Sequence, residues 1–205
     1  MKPIEPRKKP RQERSKATVE AIVEAAARIF ITDGFDGATT NSIARTAGVS
    51  VGSLYQYFPN KEALAGELID RHLAELLGIL VAELNQVANS PVAEAVPALV
   101  RAMFEAHHRA PELHTVLIEA GSRVGMDARK RQVLERFHQL LRVYLEAHRD
   151  EIVLGDLDRG SYVLVYAVES LMREVTVAPP PFPLDDVVDS IATMCLAFLN
   201  VSELK

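Results

Sequence analysis

Apolar positions along the chain recur at three- and four-residue intervals between prolines and glycines, the spacing of helices that each bury one face. From about Lys16 to Asp33, Val19, Ile22, Val23, Ala26, Ile29 and Phe30 follow this spacing and Gly34 stops the run. Two very short segments come next, with a cap from Thr39 or Thr40, an apolar face of Ile43, Ala44 and Ala47, and a turn at Gly48 that tolerates left-handed backbone. Ser50 caps the second short segment, and Pro59 ends it. Stepping about 100° per residue from Val51 gathers Val51, Leu54, Tyr55 and Phe58 on one side, with Gly52, Ser53 and Gln56 opposite and Tyr57 at the margin.

The periodicity then predicts a helix from Asn60 to about Ala88, roughly 42 Å long at 1.5 Å per residue. Leu64, Leu68, His72, Leu76, Ile79 or Leu80, and Leu84 track its inner face. Ser90-Pro91 reads as a cap and first-turn proline for a helix to about Arg109, which Pro97 should kink or delay. Further helices are expected from Pro111 to Gly121, Asp127 to His148, Leu157 to Val177 and Leu184 to Leu199, the last two separated by the stiff run Pro179-Pro180-Pro181-Phe182-Pro183. The expected fold is all-α, with about nine helices.

Residues 39–58 have the form of a helix-turn-helix, which makes DNA the first partner to consider. The second short helix carries small and amide side chains and no charge on its polar side, so it suits close approach to a major groove, where Gln56 can pair with an adenine edge and Ser53 can serve several bases. The run Gly52-Ser53-Leu54-Tyr55-Gln56-Tyr57-Phe58-Pro59-Asn60-Lys61-Glu62-Ala63-Leu64, with Thr39-Thr40, Ile43-Ala44 and Ala47-Gly48-Val49-Ser50 before it, resembles the DNA-binding domain of the tetracycline-repressor (TetR) family of bacterial transcription regulators. The likeness covers residues 17 to 70. It implies phosphate contacts from Thr40, Tyr57 and Lys61, and base-edge contacts from Val51, Gly52, Ser53 and Gln56. It further implies marginal backbone or thymine contact from Tyr55, and backbone or groove-wall contact from Asn41 and Arg45. No Arg or Lys lies between Ser50 and Phe58, so the commonest guanine contact comes from Arg45, from the basic N-terminal arm, or not at all.

Charge changes the picture by separating along the chain. The net charge is -5, yet residues 1 to 62 hold ten Lys or Arg against seven Asp or Glu, and the rest thirteen against twenty-one. The basic excess sits in Lys2, Arg7, Lys8, Lys9, Arg11, Arg14 and Lys16, so residues 1–14 read as an arm reaching phosphate or minor groove, or as a solvated tail. The expected organisation is that arm, a DNA-binding domain over 15–70, and an effector-binding and dimerisation domain over 71–205.

Helices 157–177 and 184–202 are apolar on more faces than one small bundle buries, which points to a homodimer joined through them, the site the resemblance also implies. The alternative is the centre of a monomeric bundle. A two-fold dimer sets its reading helices about 34 Å apart and calls for a palindromic operator. Candidate lining residues for a small-molecule effector are Met103, Phe104, His107, Phe137, Tyr144, Tyr162, Tyr166 and Glu169, all equally compatible with core packing. Glu169 lies in an apolar run and needs a partner, with Arg173 on the same helix as the nearest cation.

No apolar run reaches 18 residues, and no cleavable leader pattern follows the basic N-terminus. Single Cys195 excludes a disulfide framework, is compatible with a reducing cytoplasm, and reads as a small buried hydrophobe. Gly121-Ser122-Arg123-Val124-Gly125 is misspaced for a nucleophile elbow, and the six histidines include no pair at i and i+4, so neither enzyme, metal site nor cofactor is expected. The expected function is a ligand-controlled regulator, a repressor released from its operator by a small molecule, the alternative being constitutive or partner-controlled DNA binding.

Overall fold

The computed structural model describes residues 13–201; most of the basic arm expected over 1–14 lies outside them. Within the described residues the chain forms nine α-helices: α1 (Glu13–Gly37), α2 (Thr40–Thr46), α3 (Val51–Tyr57), α4 (Lys61–Gln86), α5 (Val92–His108), α6 (Pro111–Val124), α7 (Met126–Ala147), α8 (Leu157–Val177) and α9 (Leu184–Leu199). A single 3₁₀ turn, Arg149–Glu151, follows α7. An all-α architecture is therefore what the periodicity predicts and what forms.

Two compact units result. One takes in the chain through Leu73 together with Ala110–Arg129, the other Ala74–Arg109 and everything from Lys130 on. The expected boundary near residue 70 puts α6 with the second half, whereas by packing α6 lies on α1. Polar contacts explain why: Arg123 on α6 pairs with Asp36 at the end of α1, and His114 meets His72 on α4 at 2.9 Å.

The first unit is built on fully buried Ile22, Ala26 and Phe30 from α1, Ile43 and Ala44 from α2, Leu54 from α3 and Leu64 and Ile69 from α4. α1 begins three residues earlier than the apolar pattern and passes through a kink at Gly34 before ending at Gly37. Arg71 on α4 reaches Glu20 on α1 at 2.6 Å and Glu67 one turn back at 2.9 Å.

The second unit surrounds a core drawn from the end of α4 and from α5, α7, α8 and α9. α5 runs unbroken through Pro97, which neither delays it nor ends it. A proline in the second turn forfeits one backbone bond, a loss the surrounding buried face, including Val96, Leu99 and Val100, outweighs. The sequence assigns its cap to Ser90; instead Val92 N donates to Glu151 Oε2 at 2.7 Å, so a carboxylate from the 3₁₀ turn closes the positive end of the helix. Ser90 contributes its carbonyl, which accepts from the Tyr144 hydroxyl at 2.9 Å. α6 continues past Gly121 to Val124 because the left-handed stop is Gly125, with φ of 70°.

The cap assignment predicts that Glu151→Ala lowers stability by about 1–2 kcal/mol. Ser90→Ala should stay within about 0.5 kcal/mol, because its side chain plays no part in the cap. Urea unfolding of both variants followed by circular dichroism checks the pair, and equal losses would return the cap to Ser90.

Candidate nucleic-acid interface and effector cavity

α2 and α3 are seven residues each, too short to hold helical shape without support, and both are fixed at their ends. Thr39, rather than Thr40, caps α2: Ser42 N donates to Thr39 Oγ1 at 3.0 Å and Thr39 N donates back to Ser42 Oγ at 3.2 Å. Gly48 follows with φ of 67°, a backbone conformation only glycine adopts without strain. Ser50 Oγ accepts from Ser53 N at 3.0 Å to start α3, and Asn60 Oδ1 accepts from Ala63 N at 2.8 Å to start α4.

The inward stripe of α3 is Leu54, Tyr57 and Phe58. This corrects the expected wheel, which centres on Val51 and turns Tyr55 inward and Tyr57 outward. Val51 is only half-buried at the helix start, and the i, i+3, i+4 set from Leu54 defines the buried face, leaving Tyr55 about 107° away from its centre. Tyr57 is thus 9% exposed and packs inward, while Tyr55 is 41% exposed and its hydroxyl lies 3.0 Å from Thr40 Oγ1. That bond ties the first turn of α2 to the middle of α3.

Lys61 lies beside the same motif. Its ammonium donates to the carbonyls of Phe35 at 2.7 Å, Asp36 at 3.0 Å and Ala38 at 3.2 Å, and sits 4.7 Å from the centre of the Phe35 ring. Three donors meet three carbonyls at and just beyond the end of α1, so the group closes that helix terminus. Of the other expected contacts, Asn41, Arg45, Gly52, Tyr55 and Gln56 are exposed, and Thr40, Val51 and Ser53 are half-buried. Ser53 is engaged at both its amide and its hydroxyl by Ser50.

The second unit holds an apolar cavity of about 40 Å³. Leu80, Val96, Leu99, Val100, Met103, Phe137, Leu141, Leu145, Leu164, Val165, Val168 and Cys195 line it. Of the eight expected lining residues it brings together Met103 and Phe137. Tyr144 is bonded to Ser90 and its hydroxyl is pushed up to about 12 by burial and then by Glu151. Tyr162 is half exposed and stacks on Tyr166, and Phe104 stacks on His108. Glu169 is paired with Lys130 on α7 at 3.1 Å, not with Arg173. His107 is buried with Nδ1 2.9 Å from the Met103 carbonyl oxygen, and burial holds its imidazole below the ordinary value. Aliphatic lining residues carry no signal that separates them from core in a sequence. Cys195 is 2% exposed and burial raises its thiol to about 11, so it remains a neutral thiol.

Residues 22–68 match the family model of bacterial regulatory proteins, tetR family, and residues 91–199 match that of the tetracyclin repressor-like C-terminal domain. The chain belongs to the tetR family. It is 32% identical to the HTH-type transcriptional regulator BetI of Rhizobium meliloti (strain 1021) over 136 residues, 66% of this chain and 63% of BetI. The HTH-type transcriptional repressor KstR2 of Mycobacterium tuberculosis H37Rv is 36% identical over 93 residues, 43% of this chain and 44% of that protein. The chain therefore spans less than two thirds of either relative. A Mesorhizobium loti MAFF303099 protein assigned to the TetR family shares the fold with a TM-score of 0.75 at 20% identity, covering 92% of this chain and 98% of its own. Among the described residues no helix is long and apolar enough to cross a membrane.

In this tetR protein the Lys61 contacts predict that Lys61→Met lowers stability by roughly 1.5–3 kcal/mol, the range for hydrogen bonds to a charged group. The salt dependence of DNA affinity should keep its slope, since a lost phosphate contact would reduce it by about one. Urea unfolding and a salt titration of DNA binding separate these roles.

Proposed function

We propose that the protein is a dimeric repressor that reads a palindromic operator through α3 and is released by a small molecule. The uncharged exposed face of Gly52 and Gln56, flanked by Tyr55, Asn41 and Arg45, carries this reading. A glycine at the second position of α3 lets the backbone approach the groove, and Gln56 offers a paired donor and acceptor to an adenine edge. Arg45 and Asn41 supply backbone or groove-wall contacts, Thr40 and Tyr55 a joined pair of hydroxyls for phosphate, and Val51 and Ser53 the margin of the base contact. Tyr57 and Lys61 act behind this surface as supports.

Dimerisation is supported by large apolar side chains left exposed along the last two helices, among them Tyr162, Leu171 and Val177 on α8 and Met194 and Phe198 on α9. A second copy laid on these faces through 157–177 and 184–202 forms a four-helix interface. Its two reading helices then suit half-sites about 34 Å apart. Repression accords with the relative named as a repressor, KstR2. The effector occupies the second unit, and a ligand that prefers the DNA-incompetent form by 1–3 kcal/mol weakens operator affinity about 5- to 150-fold. Such a protein works in the cytoplasm, beside the chromosome.

Gln56→Ala should cost roughly 1–3 kcal/mol on the preferred operator and little on random duplex. Fluorescence anisotropy on both duplexes checks this, and equal losses would move Gln56 to a backbone role. Phe198→Glu should convert the dimer to monomer in sedimentation at micromolar concentration. A wild-type protein that sediments as a monomer removes both the interface and the palindrome.

A further inference from the structure

The inward rows of three helices in the second unit pass from hydrocarbon to charge. On α5 the row Val96, Val100, Met103 continues one turn on into His107; on α8 Val165 is followed four residues later by Glu169; on α7 the row Leu145, Leu141, Phe137 leads back through Leu134 to Lys130. These ends meet. Lys130 Nζ donates to Glu169 Oε1 at 3.1 Å and to Oε2 at 3.2 Å, and both charges act on the titration of the buried His107 imidazole. Glu169 is only 7% exposed. A slot with no polar lining thus leads toward a buried histidine and an ion pair whose carboxylate is buried and whose ammonium is part-buried.

Resting on the reading of the protein as effector-controlled, we propose that its effector is a neutral amphiphile: an alkyl or acyl chain in the slot, with an uncharged hydrogen-bond acceptor such as an ester, lactone, amide or ketone at Lys130. Charge balance selects this class. Lys130 and Glu169 already neutralise each other, so a further carboxylate or ammonium brought into the low-dielectric site has no counter-ion. An uncharged acceptor takes the third ammonium proton of Lys130 without breaking the pair. The chain needs more room than the resting slot holds. Met103, unbranched and adaptable, is the lining residue best able to yield, and its displacement shifts α5 against α8.

Calorimetric titration of the full-length protein at neutral pH with methyl octanoate, sodium octanoate and octylammonium chloride tests the head-group assignment. Methyl octanoate should bind at least about tenfold tighter than either ion. Val165→Phe, which fills the slot, should remove binding. Glu169→Gln should improve octanoate binding by about tenfold, because Lys130 then lacks its counter-ion, while changing methyl octanoate far less. A misfolded variant cannot produce that gain. Equal binding of ester and ion to the wild type, an unmoved octanoate-to-ester ratio in Glu169→Gln, or no binding of any of the three overturns the proposal. Release of the operator by a compound outside this class would overturn the class alone. A metabolite panel that alters neither melting temperature nor operator affinity would overturn effector control itself.

Discussion

The outward face of α3 depends on three side chains behind it. α3 is a seven-residue helix, well below the length at which a helix is stable by itself, so its outward face exists only while Leu54, Tyr57 and Phe58 are buried. Those three fix the rotation of the helix about its axis and hence which residues face outward. With Leu54 at the centre, Gly52, Tyr55 and Gln56 are exposed. The two caps and the turn at Gly48 hold its ends, and the Thr40–Tyr55 bond ties α2 to α3 across the turn.

Lys61 shows how the same unit is braced from behind. The carbonyls that end a helix carry partial negative charge, and at the end of α1 three of them converge on one ammonium at the start of α4. Asp36, whose carbonyl is among them, uses its carboxylate for Arg123 of α6, which holds that carboxyl below its usual range by hydrogen bonding. Three helices distant in sequence are joined around one chain reversal. The second unit follows a different rule, in which aliphatic rows leave a narrow unfilled slot and Lys130 and Glu169 pair with each other.

Much of this was legible before any coordinates. Helical periodicity located all nine helices, because alternation between buried and exposed positions is a local property of the chain. Thr39 and Ser50 as caps, Gly48 as the left-handed turn and Asn60 as the opening of α4 were also readable, since each acts within four residues of itself. Two expectations failed for a common reason. Ser90 gave way to Glu151 as the cap of α5, and Arg173 to Lys130 as the partner of Glu169. The true partners lie 59 and 39 residues away.

The sequence by itself thus determined the helices, their ends, the helix-turn-helix grammar and the separation of charge along the chain, all of which follow from the spacing of neighbours. Only the tertiary structure decided which side of α3 turns outward, which unit α6 joins, which aliphatic residues border a cavity rather than fill a core, and where the polar ends of three helices meet. The physical reason is range. A cap or an amphipathic stripe is satisfied within one or two turns, whereas a buried charge takes whichever partner the packing of distant segments brings within hydrogen-bonding reach.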